Sequence, residues 1–242
     1  MAVSQDYDRC PRTAGVNSVD EEVLYRRSSC GEPTWEVAYY YPFQGHWTEE
    51  EFLHLDRMGN RLIELSDGCI ELLPRPTWEH RDLLVFMLDR LDAHVRECRL
   101  GEVLMAPLPV RLGQDWYRTP DVMFFRPGRI TNRHGQPEGA DLVVEIVGPS
   151  DEERCRDLIT KRQEYARAAI PEYWIVDPET RTIHVLTLDG VEAGGPYRVH
   201  GEFNSGETAS SALLEGFTVS IDDCFAAGDG TAGDVNAPEG DG

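Results

Sequence analysis

The stretch over residues 141–177 constrains the fold of this chain most, because it predicts a strand, a helix and a second strand in direct succession. Residues 142–147 are mostly apolar and β-branched, as in a strand that is buried on both faces. A helical pattern with acidic residues in its first turn follows over 151–169, and Pro171 ends it before a second apolar run over 173–176. This order predicts a βαβ unit with two parallel strands.

Two charged residues within this unit are chemically informative. Glu145 lies in the middle of the first predicted strand, where a carboxylate is costly unless it is paired or binds a metal ion. Lys161 lies in the predicted helix and is the single lysine among 23 lysines and arginines. Arginine does not replace lysine where a compact ammonium must lie beside a reacting group. The alternative is that Lys161 survives by chance on a solvated helix face.

A third charged residue, Asp121, begins an apolar strand directly after Pro120. Carboxylates on adjacent strands, here Asp121 and Glu145, offer the hard oxygen ligands that Mg²⁺ and Mn²⁺ prefer, and the backbone carbonyl of Ile146 would complete the inner shell. A bound divalent ion activates water and neutralises charge on a phosphate, while the ammonium of Lys161 would position the water or stabilise the transition state. These residues predict metal-assisted hydrolysis of a phosphodiester.

Two further candidates lie on elements nearer the start of the chain. A capping box at Thr48 predicts one helix, and an Asp-Gly turn at 67–68 predicts a hairpin. Glu64 lies on the first strand of that hairpin, where it either faces solvent or points toward a site. His80 lies in the first turn of a later helix of about twenty residues, as a surface or packing residue or as one that lines the site.

The length and the composition predict one globular domain with two tails. We expect a poorly ordered N-terminal extension over 1–42, a folded domain over 43–225 and a disordered, acidic and Gly-rich tail over 226–242. The sequence has no apolar run of about 18 residues, so no membrane span is predicted. It begins without the apolar segment of a secretory signal, and its six cysteines are scattered without a C-x-x-C pair. A cytoplasmic protein with reduced thiols is expected.

The charge balance limits any role in nucleic-acid binding. With 44 acidic and 23 basic residues the net charge is −21, which repels phosphates at long range. Nucleic-acid binding must therefore rest on a local basic surface. The loop over 126–134 contains Arg126, Arg129 and Arg133 and no acidic residue, and it is expected to contact phosphates close to Asp121. The alternative is an ordinary solvated loop.

The landmarks together resemble the Uma2-type putative restriction endonucleases, a variant of the PD-(D/E)XK nucleases. The resemblance covers roughly residues 45–225, and its matching stretches are 64–68, Glu79-His80, Pro120-Asp121, 144–150, Lys161, Tyr165 and 170–177. It implies an α/β fold with a restriction-endonuclease-like core, a mixed β-sheet flanked by helices. It also implies that Asp121, Glu145 and Lys161 are catalytic, that Glu64 approaches the metal as an extra acid, and that His80 lines the pocket.

Three positions depart from the family pattern. In the simplest form of the signature the lysine lies two residues after the second acid, where this chain has Val147. In Uma2-type proteins the following helix supplies the lysine instead, which agrees with Lys161. Gly148 stands where a serine is often found, and Cys69 stands where many relatives have a glutamate after the Asp-Gly turn. Because Cys69 replaces that glutamate, the resemblance assigns a role to the acidic residues of the hairpin less firmly.

The predicted function is a Mg²⁺- or Mn²⁺-dependent endonuclease that acts on DNA. A homodimer is expected, since cutting both strands of a duplex commonly uses paired sites. The alternative is a catalytically silent interaction protein that keeps the nuclease fold, which the acidic composition favours. A G-x-S-x-G element, a P-loop and a G-x-G-x-x-G motif are all missing from the sequence, so serine hydrolases and nucleotide-binding enzymes are disfavoured.

Overall fold

A mixed α/β unit that begins at Phe43 contains the elements that position the site. The computed structural model describes residues 40–59, 61–188 and 195–230. The helices are α1 (Glu49–Met58), α2 (Trp78–Cys98), α3 (Asp151–Cys155), α4 (Lys161–Arg167) and α5 (Ile221–Gly228). The strands are β1 (Ile63–Ser66), β2 (Cys69–Leu72), β3 (Glu102–Met105), β4 (Val110–Gly113), β5 (Trp116–Arg118), β6 (Val122–Phe125), β7 (Leu142–Ile146), β8 (Glu172–Asp177), β9 (Thr182–Leu188), β10 (Tyr197–Phe203), β11 (Thr208–Ser210) and β12 (Thr218–Ser220).

The central sheet has six strands in the order β10-β9-β8-β7-β6-β3. Strands β7 and β8 pair in parallel, with Glu145 opposite Ile175, whereas the other neighbours pair antiparallel. The chain between β7 and β8 runs through α3 and α4, as a parallel pair requires. The predicted βαβ unit and the mixed sheet flanked by helices are confirmed.

Both faces of the central sheet are covered, which explains the continuous apolar runs in β7 and β8. On one face Val144 and Trp174 pack with apolar residues of α2 and α5. On the other face Val143 and Tyr173 pack with Tyr165 of α4. Side chains alternate between the faces along each strand, so both sets of β7 side chains are buried.

A smaller sheet in the order β2-β1-β5-β4 carries the predicted hairpin. Ser66 pairs with Cys69 across the Asp-Gly turn, and Gly68 has φ +70. A Cβ at Gly68 would lie 2.8 Å from the carbonyl of Gly45, so a side chain is excluded there. Helix α1, which begins at the predicted Thr48 capping box, covers this sheet with Phe52.

Two helices differ from the sequence-based expectation. The helix expected over 151–169 is interrupted by a π-helical turn, Arg156–Thr160, which joins α3 to α4. The last helix, α5, extends to Gly228, three residues beyond the predicted domain end at 225. It continues because Gly228 is buried close to Leu83 of α2, where a Cβ would be 3.0 Å from that side chain. Positions 1–39 of the predicted extension and the predicted tail from 231 onward lie outside the described residues.

The requirements for a membrane-spanning helix are length and apolar character. No helix of the described ranges is both long enough and apolar enough to span a bilayer.

Candidate active site

A cavity of about 870 Å³ opens where β7 ends. Five elements contribute polar side chains to it: the first turn of α2, the residue before β6, strand β7, the π-helical turn and the first residue of α4. These side chains belong to His80, Asp121, Glu145, Asp157 and Lys161. The cavity therefore unites the three predicted catalytic residues with His80 and with one acid that the sequence did not single out.

Asp121 is held at the start of β6 by one backbone and one side-chain contact. The antiparallel register pairs Val122 with Val144, and its continuation by one residue places Asp121 opposite Glu145, on the same face of the sheet. Its Oδ2 accepts the N–H of Ile146 at 2.8 Å and lies 3.3 Å from Nε2 of His80. Burial alone would lower the pKa of His80, but Asp121 outweighs it and the pKa is raised.

Glu145 and Lys161 form a buried ion pair at the centre of the site. The Nζ of Lys161 lies 2.8 Å from Oε2 of Glu145, and the hydroxyl of Tyr165 donates to Oε1. Burial raises the pKa of Glu145, and the adjacent Lys161 ammonium opposes this effect. Burial alone would lower the pKa of Lys161, but its carboxylate neighbours raise it, so the side chain is an ammonium at neutral pH. Lys161 is thus a buried cation and not a residue of a solvated helix face.

Asp157 is the site acid that sequence reasoning missed. Its Oδ1 lies 3.4 Å from Nζ of Lys161, and its side chain is buried. Asp157 lies in the π-helical turn, where the N–H of Lys161 donates to the carbonyl of Arg156, five residues earlier. The carbonyl of Asp157 accepts the hydroxyl of Tyr173 at 2.8 Å. Its spacing of four residues from Lys161, which puts side chains on one helix face, was the available signal.

Glu64 points inward and supports Lys161 from the smaller sheet. Its side chain has no exposed surface, and its Oε1 lies 3.8 Å from Nζ of Lys161. The same oxygen accepts the N–H of Thr119 at 2.8 Å, while Oε2 accepts Nη1 of Arg118 at 2.7 Å. Burial would raise the pKa of Glu64, but Lys161 and Arg118 outweigh it and the pKa is lowered. The solvent-facing alternative for Glu64 is therefore wrong.

Arg118 joins β5 to helix α4 through a buried network. Its guanidinium donates to both carboxylate oxygens of Glu164 at 2.7 Å, and Nη1 also donates to Glu71 at 2.6 Å. A planar guanidinium matches a carboxylate in this two-bond arrangement. Because Glu164 is three residues after Lys161, the network fixes the helix that carries Lys161.

Comparison with known proteins identifies the family. A family model described as "Uma2: Putative restriction endonuclease" matches residues 49–222, more than half of the chain. The chain belongs to the Uma2 family. The crystal structure of a putative nuclease belonging to DUF820 from Anabaena variabilis ATCC 29413 is similar to this Uma2 protein, with a TM-score of 0.60 and 19% sequence identity over 75% of this chain and 98% of that chain. At this identity the likeness shows the fold alone. Among curated proteins, none matches the chain.

The Uma2 match confirms the predicted family and fold class. In this Uma2 protein Val147, which stands at the lysine position of the simplest nuclease signature, is buried in the core. The ammonium comes from Lys161 on the following helix and reaches Glu145 across the sheet face. The assignment of catalytic roles to these residues stays a prediction.

The predicted phosphate-binding arginines are not brought to this cavity. Asp121 precedes β6, whereas Arg126 follows it, so the two residues are separated by the length of the strand, about 16 Å between Cα atoms. The side chain of Arg133 instead pairs with Glu102 of β3. The contact expected close to Asp121 is therefore not formed by this arrangement, because the loop lies at the opposite end of the strand.

The Uma2 site has carboxylate oxygens that suit a divalent ion, but they do not form a preformed metal site. Within the described ranges, no group of three or more His, Cys, Asp and Glu side chains is arranged to hold a metal ion. Both polar contacts of Asp121 use Oδ2, which leaves Oδ1 available as a metal ligand. Oε2 of Glu145 is paired with Lys161, so an ion that binds Glu145 competes with that ammonium. The two hard carboxylates fit Mg²⁺ or Mn²⁺ by chemistry.

Proposed function

We propose that this Uma2 protein is a divalent-metal-dependent endonuclease that hydrolyses phosphodiester bonds in DNA. The observation that carries the proposal is the 2.8 Å contact between Lys161 and Glu145 in a cavity that Asp121 also lines. A buried ammonium among the carboxylates of Glu145, Asp157 and Glu64 is costly to maintain unless the arrangement has a use. The description of the family as putative restriction endonucleases supports the same reaction class.

Each site residue has a role that its contacts support. Asp121 and Glu145, with the backbone carbonyl of Ile146, would hold Mg²⁺ or Mn²⁺, and the bound ion would supply charge neutralisation and a more acidic water. Lys161 positions the attacking water or stabilises the pentacovalent transition state. His80 and the N–H of Ile146 fix the orientation of the Asp121 carboxylate.

Three buried neighbours keep these groups in place. Tyr165 orients the Glu145 carboxylate through its hydroxyl. Asp157 and Glu64 surround the Lys161 ammonium and keep it charged. If a divalent ion bound Glu145, the ammonium would still have these two carboxylates as partners, and Lys161 would keep its charge.

The decisive experiment is cleavage of supercoiled plasmid DNA with Mg²⁺ or Mn²⁺ by the parent, Lys161→Ala and Arg162→Ala. Arg162→Ala removes a positive charge one residue away on the same helix, outside the cavity. We expect Lys161→Ala to lose roughly 100-fold or more of the cleavage rate, as for loss of one transition-state donor, and Arg162→Ala to retain it. Equal cleavage by the parent and Lys161→Ala would refute the assignment.

A catalytically silent interaction protein is the second candidate. The net charge of −21 and the pairing of Glu145 with Lys161 favour it. Calorimetric titration of Mn²⁺ into the parent and Asp121→Asn separates the two candidates. A site present in the parent and lost in Asp121→Asn supports the enzyme, whereas no metal binding by a folded parent supports the silent protein.

A further inference from the structure

The rim of the cavity carries three arginines that are not used by the catalytic set. Arg61 lies before β1, Arg75 lies after β2, and Arg81 lies in α2, and all three line the cavity and are exposed. Within the described ranges none of them takes part in an ion pair. In a chain with a net charge of −21, three free guanidiniums around one opening form a local anion-attracting surface.

Trp78 lies beside these arginines and is 85% exposed. Trp78, Arg81 and Val85 lie at positions i, i+3 and i+7 of α2, so they form one stripe along the helix. All three are exposed and line the cavity, whereas the core-facing stripe of α2 contains Leu83 and Met87. The helix thus presents an indole and a guanidinium at the opening instead of burying them.

We propose that this rim, formed by Arg61, Arg75, Trp78 and Arg81, binds an unpaired nucleotide of the DNA substrate, with its base stacked on Trp78 and its flanking phosphates on the arginines. The inference rests on the proposed function, because it concerns the substrate of the same cavity. In a fully paired duplex the base faces are covered by their neighbours. An exposed indole can stack only on a base that is unstacked, in a single strand or at an unpaired position in a duplex.

The placement of the rim connects it to the catalytic residues. His80, two residues after Trp78 in the first turn of α2, lies 3.3 Å from Asp121. A nucleotide whose base rests on Trp78 therefore places a neighbouring phosphate near the opening that leads to Asp121 and Lys161. Alternation of an aromatic face with guanidiniums is the chemistry of single-strand binding surfaces.

Binding without cleavage tests the inference separately from catalysis. Fluorescence anisotropy in EDTA would compare three labelled DNA probes of one sequence: a single strand, the fully paired duplex and the duplex with one unpaired base. The proteins are the parent, Trp78→Ala, Trp78→Phe and the double variant Arg75→Ala/Arg81→Ala. Phe43→Ala is the matched aromatic control, since Phe43 is 73% exposed and lies outside the cavity.

A double variant, Arg90→Ala/Arg167→Ala, is the matched charge control. Both arginines are exposed, and neither lines the cavity. The control changes the net charge by the same amount as Arg75→Ala/Arg81→Ala. Any difference in DNA affinity between the two double variants then depends on where the arginines lie and not on the total charge.

We expect the parent to bind the single strand or the duplex with an unpaired base at least about tenfold more tightly than the paired duplex. Trp78→Ala should weaken that binding about tenfold without changing its salt dependence, and Trp78→Phe should restore most of it. Arg75→Ala/Arg81→Ala should reduce the slope of log affinity against log salt by about 0.7 per lost contact. Preference for the single strand alone identifies a longer unpaired segment, and equal binding to both unpaired probes identifies one nucleotide; both results support the inference.

Equal affinity for the paired and unpaired probes, or no effect of Trp78→Ala, would overturn it. Sedimentation that shows a dimer dissociating in Trp78→Ala would assign the rim to a second copy and would also overturn it. Because no divalent ion is present, these outcomes are independent of cleavage. A protein that binds through Trp78 but does not cut DNA would refute the proposed catalysis and keep the binding site.

Discussion

At the residue scale, the site is organised around one buried cation and its carboxylates. Lys161 lies within 4 Å of Glu145, Asp157 and Glu64, and burial excludes the water that would otherwise screen these charges. Removing any one partner leaves the others imperfectly paired, which is strongly destabilising for buried charges. The ammonium fits because it is compact, whereas a guanidinium is larger and needs a planar partner.

The lowered pKa of Glu64 makes a pH-dependent prediction. Because the folded pKa lies below the unfolded value of 4.5, ionised Glu64 stabilises the fold above that pH, and this contribution is lost as the pH falls. Glu64→Gln should lower the free energy of unfolding near pH 7 by about 3 kcal/mol, because Arg118 and Lys161 lose a charged partner.

Urea unfolding of the parent and Glu64→Gln, measured near pH 7 and below pH 4, checks this prediction. The difference between them should shrink at the lower pH, where Glu64 of the parent becomes protonated. Glu50→Gln is the control, since Glu50 is exposed in α1. A difference that stays constant with pH would contradict the assigned role of the Glu64 charge.

Asp157 gives a second prediction at this scale. Asp157→Asn removes a charge 3.4 Å from the ammonium of Lys161 but keeps the side-chain volume. We expect the cleavage rate to fall by about tenfold or more while the protein stays folded, because Lys161 loses one of the groups that orient it. Single-turnover plasmid cleavage measures the effect.

The control for Asp157→Asn is Glu152→Gln, since Glu152 is exposed in α3. It removes an equal charge from the same helical segment. If both variants cut DNA at the parental rate, Asp157 has no part in positioning Lys161.

At the element scale, the π-helical turn sets which side chains face the cavity. Asp157 faces Lys161 across this wide turn, while α4 stays packed through Tyr165 and the Arg118 network. Such single-turn insertions are frequent at functional sites, since they change the direction of side chains without breaking the helix.

Deletion of Ile159 tests this geometry. Ile159 is 54% exposed, so the deletion removes little packing. It shortens the spacing between Asp157 and Lys161 from four residues to three and lets the wide turn close as a regular α-turn. We expect the helical circular dichroism to be retained and the cleavage rate to fall at least about tenfold, because the Asp157 carboxylate no longer meets the Lys161 ammonium in its present geometry.

Ile159→Ala is the control for the deletion, since it shortens the same side chain and keeps the helical register. Its cleavage rate should equal that of the parent. A deletion variant that cuts DNA as fast as Ile159→Ala would show that the π-helical turn does not position the site.

At the scale of the whole molecule, the charge distribution and the assembly bear on the proposed DNA substrate. The net charge of −21 disfavours general binding to nucleic acid, so the proposed recognition is confined to the cavity and its rim. We expect a homodimer, with twice the chain mass of 27.3 kDa, because cutting both strands of a duplex commonly uses paired sites.

Sedimentation equilibrium of the full chain over a range of concentrations measures the assembly. A mass that stays at one chain would exclude paired sites in one particle. Plasmid cleavage would then be expected to stop at nicked circles, because a single site cuts one strand at a time.

Local signals in the sequence predicted much of the fold. The capping box at Thr48, the Asp-Gly hairpin turn and the buried strand around Glu145 all have the predicted structure, because caps, turns and the two-residue strand period depend on neighbouring residues. The catalytic candidates were found in the same way, since a charge in an apolar run and a lone lysine are visible without a structure.

The sequence by itself therefore determined the βαβ unit, the family and the candidate set of Asp121, Glu145 and Lys161. Only the tertiary structure decided that Asp157 and Glu64 enclose Lys161, that the 126–134 loop lies at the far end of β6, and that Trp78 and its arginines surround the opening. The physical reason is that residue spacing sets which face a side chain occupies. Which strand ends and helix ends meet depends instead on the sheet order and on packing across the whole core.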